Sequence, residues 1–142
     1  MTTFEEVINR DGRLVFTNAG TSMRPLIKQG RDVLIIEKPV FPLAKYDVPL
    51  YKRESGQYVL HRIVALRGDG YVTRGDSRLH REYGVTDDMI IGVLTAVSRD
   101  GKETDINSGK MRLYSRLIVA LFPLRAPFMF VSRLVRKIIK HK

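Results

Sequence analysis

The stretch Tyr58-Val59-Leu60-His61-Arg62-Ile63-Val64-Ala65-Leu66, followed by Arg67-Gly68-Asp69-Gly70 and then Tyr71-Val72-Thr73, decides the fold class of this chain. The first nine residues are too short for an average helix and end in turn-forming residues, so they read as one β-strand. Gly68-Asp69-Gly70 tolerates the left-handed backbone of a tight reversal and joins that strand to the next as a hairpin. Upstream, Glu54-Ser55-Gly56 closes a second hairpin with Val48-Pro49-Leu50-Tyr51, whose proline suggests an edge or a bulge. Further out lie Leu14-Val15-Phe16, then Val33-Leu34-Ile35-Ile36 after the Gly30-Arg31-Asp32 turn, and Ile90 to Val97 as the last strong strand. Short strands, Gly/Asp turns and no alternating long helices predict a mainly β, coiled antiparallel domain over an α/β layer fold. Glu5 and Glu6, followed by Val7 and Ile8, predict a short helix ahead of the Asp11-Gly12 turn.

At 142 residues the chain has room for one modest domain. It contains no cysteine, which excludes disulfides, thiolate zinc sites and cysteine nucleophiles. His61, His80 and His141 lack metal-ligand spacing, and there is no glycine-rich phosphate loop, so no metal or organic cofactor is implied. The net charge of +10 is unevenly spread: residues 1–110 hold 17 Lys/Arg against 15 Asp/Glu, whereas residues 111–142 hold 8 and no acid. The near-balanced domain shows no recognition motif for DNA or RNA, so no specific nucleic-acid partner is expected. The opening residues are polar and acidic, without the apolar core of a secretory leader.

Composition changes after Asn107-Ser108-Gly109. Met111 to Phe122 is apolar apart from Arg112 and Arg116, four apart on one helical face, and Pro123 and Pro127 are expected to bracket a break. Beyond it Phe128, Val131, Val135 and Ile138 recur at helical spacing, with Arg133, Arg136, Lys137 and Lys140 largely opposite. A membrane-crossing helix needs roughly 20 mostly apolar residues, and proline and arginine interrupt this run. The pattern suits an amphipathic helical hairpin on an anionic membrane surface, with snorkelling basic side chains. Two helices packed on protein, or a shallow re-entrant hairpin, remain as alternatives. The expected organisation is a short arm (1–13), a β domain (14–108) and a basic helical tail (109–142).

Two features point to chemistry. Ser22 lies in the corner Gly20-Thr21-Ser22-Met23-Arg24-Pro25, which would expose its hydroxyl and aim its backbone N–H at an oxyanion. A serine needs a nearby base to become a nucleophile, and His61 is a candidate; alternation puts it on the face of Val59 and Ile63. Each also has a plain structural reading, as a turn serine and a core histidine.

Together these segments resemble the signature boxes of the S24/S26 peptidase group, which joins signal peptidases to self-cleaving repressor-type proteases. The resemblance takes in Gly20 to Pro25 with Gly30-Arg31-Asp32-Val33-Leu34. It continues through Tyr46-Asp47-Val48-Pro49-Leu50-Tyr51, which is similar to that group's glycine-aspartate segment leading into a strand. His61-Arg62-Ile63-Val64, Arg74-Gly75-Asp76-Ser77 and Ile90-Ile91-Gly92-Val93 follow in order, so it spans about residues 14–97. A histidine followed by arginine resembles the histidine branch, as opposed to the lysine-based leader peptidases. The resemblance implies that Ser22 is the nucleophile, with its backbone N–H in the oxyanion hole. It makes His61 the general base and Asp76 the carboxylate supporting it; a turn-capping role for Asp76 stands beside this. Glu82, Asp87 and Asp88 compete for a second acidic position. The implied activity is hydrolysis of a peptide or protein substrate through an acyl-enzyme, without a cofactor. The alternative is an inactive peptidase-fold module binding a membrane or protein partner. Signal peptidases typically carry a transmembrane anchor just before the serine box. Here that stretch is polar and the apolar tail is C-terminal, so a peripheral or monotopic place on the cytoplasmic face of the membrane is expected, or the cytoplasm if the tail packs on protein.

Overall fold

The first helix begins where the sequence supplies its cap. In the computed structural model, which describes residues 3–17, 23, 24, 26, 27 and 32–140, α1 runs Phe4–Asp11. Thr3 Oγ1 accepts from Glu6 N–H at 3.2 Å while the Glu6 carboxylate accepts from Thr3 N–H at 3.4 Å, a reciprocal capping box. Gly12 ends the helix at φ 74°, a left-handed conformation that glycine adopts without penalty. This is the short helix expected before Asp11-Gly12, and it buries Ile8 on the sheet.

Among the described residues nine strands follow: β1 (Arg13–Thr17), β2 (Val33–Glu37), β3 (Pro49–Lys52), β4 (Tyr58–Leu60), β5 (Arg62–Arg67), β6 (Gly70–Arg74), β7 (Glu82–Val85), β8 (Ile90–Arg99) and β9 (Lys102–Asp105). All pairings are antiparallel. One sheet has the order β1-β2-β8-β3-β4, with β9 also pairing β8; the other is β5-β6-β7. The long β8 lies against β2 on one edge and against β3 then β9 on the other, so it ties the larger sheet together.

The stretch read as one strand from Tyr58 to Leu66 is two. Leu60 ends the ladder with β3 at Leu50, and Arg62 starts a new one with Arg74 of β6. His61 stands at this break, where the chain leaves one sheet for the other. Ile63 holds the crossing in place: its N–H donates to Asp47 O and its carbonyl accepts from Tyr46 N–H, both at 2.8 Å. Pro49 occupies the first position of β3, where a missing donor is tolerated, and β3 is not an edge. A register irregularity against β8 falls just after it, between Leu50 and Tyr51.

Alternation supplies two cores from one sheet. Leu50, Leu60 and Leu94 face a cluster with Ile8, Met23, Ile27 and Leu34, whereas Tyr51, Val59 and Ile90 face Ile63, Tyr71 and Val85 of the smaller sheet. The larger sheet is thus covered on both sides.

Ser108 caps α2 (Gly109–Ala120), its hydroxyl accepting from Met111 N–H at 3.4 Å. Helix α3 (Phe122–Lys140) follows at a bend of 69°. The break is at Leu121, earlier than the prolines: Pro123 falls in the first turn of α3, where its missing N–H costs nothing, and α3 continues through Pro127. The molecule is therefore a mainly β antiparallel domain followed by a two-helix element. No residue of α3 is buried, and Leu124, Phe128, Val131 and Ile138 are exposed. No single described helix is long and apolar enough to cross a membrane; α2 and α3 reach that length and composition only as a bent pair.

Candidate active site

Ser22, its backbone N–H, Gly20 and Thr21 lie outside the described residues. Met23 is fully buried in the α1-side core, and Ile27 N–H donates to Met23 O at 3.0 Å to close a turn.

His61 is half-buried at the β4–β5 break, edge-on to the Tyr51 ring with centroids 6.4 Å apart. Its Nδ1 is buried and has no hydrogen-bond partner among the described residues. Burial lowers its pKa from 6.5 to about 4; the charge of Glu82 opposes this, and Arg53 and Arg78 reinforce it. His61 is therefore neutral at pH 7.

The carboxylate acting on His61 is Glu82, on β7. Arg53 grips it with two hydrogen bonds, Nε to Oε2 at 3.0 Å and Nη2 to Oε1 at 2.8 Å, and Tyr51 O–H donates to Oε1 at 2.6 Å. Thr73 Oγ1 completes the network, 2.9 Å from the Tyr51 hydroxyl. Burial would raise the Glu82 carboxyl, but the bonds from Arg53 and Tyr51 outweigh it and hold it below its ordinary value. An ionised carboxylate thus persists in a partly buried place, where its field reaches the imidazole.

Asp76 does something different from the expected support of His61. It is buried, and both of its oxygens accept from Arg62, from Nε at 2.8 Å and Nη2 at 2.9 Å. The remaining Arg62 nitrogen, Nη1, donates to Ser115 Oγ of α2 at 2.5 Å and to Tyr46 O at 3.2 Å. Ser115 in turn donates to Met111 O at 3.0 Å. The residue after His61 therefore anchors the helix pair to the strand crossing, and Asp76 neutralises that anchor. The competitors Asp87 and Asp88 border a groove away from His61, where Asp87 accepts from Tyr71 O–H at 2.6 Å.

The sequence reading missed Tyr51 and Arg53 as neighbours of His61. Tyr51 reads as an ordinary inward strand residue, and Arg53 finds Glu82 only through a fold in which β7, a polar strand, joins the second sheet. Two cavities, of about 210 and 460 Å³, are lined by neither His61 nor Asp76. The arrangement supplies a neutral imidazole able to accept a proton and a nearby anion able to stabilise the imidazolium that results. Comparison with protein-family models, curated proteins and solved structures gave no match to this chain.

Proposed function

We propose that this chain is a serine endopeptidase of the S24/S26 type, close in mechanism to the histidine branch of the signal peptidases. The observation that carries this reading is His61: a neutral, half-buried imidazole at the crossing of two sheets, within the electrostatic field of an ionised Glu82. In the proposed reaction Ser22 Oγ attacks the substrate carbonyl and passes its proton to His61. The Ser22 N–H donates to the oxyanion, and Glu82 steadies the imidazolium. His61 then returns the proton to the leaving amine, and water, activated by the same imidazole, hydrolyses the acyl-enzyme. Asp76 acts at one remove, by keeping Arg62 and so the β4–β5 crossing in place. The helix pair holds the domain as a peripheral or monotopic protein on an anionic, cytoplasmic membrane face: the eight basic residues of positions 111–142 have no acidic counterpart.

One observation favours a second reading, an inactive peptidase-fold module that binds a membrane or protein partner. Among the described residues no carboxylate hydrogen-bonds His61 Nδ1 to orient the ring, and its low basicity weakens it as a base. A peptide-library digest separates the two. Wild type should produce a defined set of new termini that Ser22→Ala and His61→Ala do not; identical digests for all three would leave the inactive module.

A further inference from the structure

Three arginines gather around Asp76 where the helix pair meets the β domain, and only Arg62 bonds its carboxylate. Arg62 and Arg74 are direct cross-strand partners on β5 and β6, a juxtaposition that like charges disfavour. Arg125 reaches in from α3, donating from Nη2 to the Asp76 backbone carbonyl at 3.1 Å. Both side-chain oxygens of Asp76 already accept from Arg62.

The other two guanidinium groups are left short of acceptors. Arg74 is only 4% exposed and lies over the Phe122 ring at 3.5 Å, and no acceptor among the described residues takes a hydrogen bond from it. Arg125 Nη1 is buried without a hydrogen-bond partner among the described residues. Burial pulls Arg74 down to about 10, with Arg81 and Arg125 adding to the effect and Asp76 opposing it. A guanidinium is among the costliest groups to bury without an acceptor, and its planar fork of donors matches the oxygens of a phosphate. Phe122 can hold the Arg74 plane in position but cannot accept its in-plane N–H groups.

We propose that Arg74 and Arg125 form a binding site for a phosphate group at the root of α3. The group would bridge the two guanidinium ions beside Asp76 and neutralise the buried surplus of positive charge. A lipid headgroup phosphate and free inorganic phosphate share this chemistry. Leu124 and Phe128, on the same first turns of α3, are apolar and exposed, as a lipid held by its headgroup would require of the neighbouring surface. The site is independent of whether Ser22 and His61 cleave peptides.

The test uses full-length protein in maltoside detergent, which carries no phosphate. Thermal midpoints are compared in sodium phosphate against sodium chloride of equal ionic strength, and in micelles doped with phosphatidylglycerol against a galactolipid without phosphate. Wild type should gain about 5 °C at saturation. Arg74→Met should start above wild type in chloride, because it removes an uncompensated charge, and should lose most of the gain. Arg133→Gln, on the exposed tail, should behave as wild type. Should Arg74→Met not fold, Arg74→Lys keeps the charge without the fork and should show a reduced gain. A gain in both arms assigns a general phosphate site, in the lipid arm alone a headgroup site, and in the phosphate arm alone a site for the free anion. No gain in either arm overturns the proposal. So does an equal gain in wild type and the Arg74 variants, or an Arg74→Met midpoint below wild type in chloride with the gain retained.

Discussion

His61 keeps its lone pair at neutral pH because burial disfavours its charge, and this has consequences in both activity and stability. The acid limb of peptide cleavage, set by protonation of the free enzyme's base, should fall near pH 4, well below the ordinary imidazole value. For stability, the unfolded chain takes up the His61 proton near pH 6.5 and the folded one near 4. The unfolded state therefore binds more protons between these values, and the contribution of neutral His61 is complete above 6.5 and lost as pH falls towards 4. Urea unfolding at pH 7 and pH 5 should show a larger drop for wild type than for His61→Gln. The two carboxylates near the site separate in the same way. Asp76→Asn strands a buried arginine and should cost about 3 kcal/mol in urea unfolding. Glu82→Gln removes the charge that opposes desolvation, so NMR titration should show His61 moving further down, whereas Asp76→Asn should move it little. The pairing of Asp76 with Arg62 was not legible in its Gly-Asp box. Arg62 and Asp76 meet only after β5 and β6 have paired.

At the scale of elements, what the sequence conceals has a consistent cause. β7 (Glu82–Val85) and β9 (Lys102–Asp105) are polar, with little or no buried face, so no apolar alternation marks them; they exist because β6 and β8 offer open edges. The break at His61 is hidden for the opposite reason: apolar residues continue across it while the chain changes sheets. Tyr46, with φ of 82°, holds a left-handed backbone that its residue type seldom adopts, so residue type does not reveal the turn. The apolar strands and the capped α1, by contrast, were legible because each combines periodicity with a turn or cap. Gly92 tests how closely α1 and the sheet approach. A Cβ there would come within 2.5 Å of Ile36 Cγ2 and 3.0 Å of both Ile8 Cδ1 and Glu37 O. Gly92→Ala should therefore cost about 1–3 kcal/mol, read as a lower urea midpoint with an unchanged slope.

The whole molecule divides by charge and polarity into a near-neutral β body and a basic helix pair with an uncovered apolar face. Leu124→Ser combined with Phe128→Ser should abolish flotation with phosphatidylglycerol vesicles while leaving the urea midpoint of the β domain unchanged, since neither side chain is buried. High salt should weaken wild-type flotation without removing its apolar part. The central claim concerns the body: that this fold brings an activated Ser22 to His61. Intact-mass analysis after treatment with a fluorophosphonate tests it most directly, on wild type, Ser22→Ala and His61→Ala. The account predicts a single adduct on wild type, none on Ser22→Ala and a strongly slowed one on His61→Ala. Equal labelling of all three proteins, or none of wild type under conditions in which it cleaves the peptide library, would contradict it.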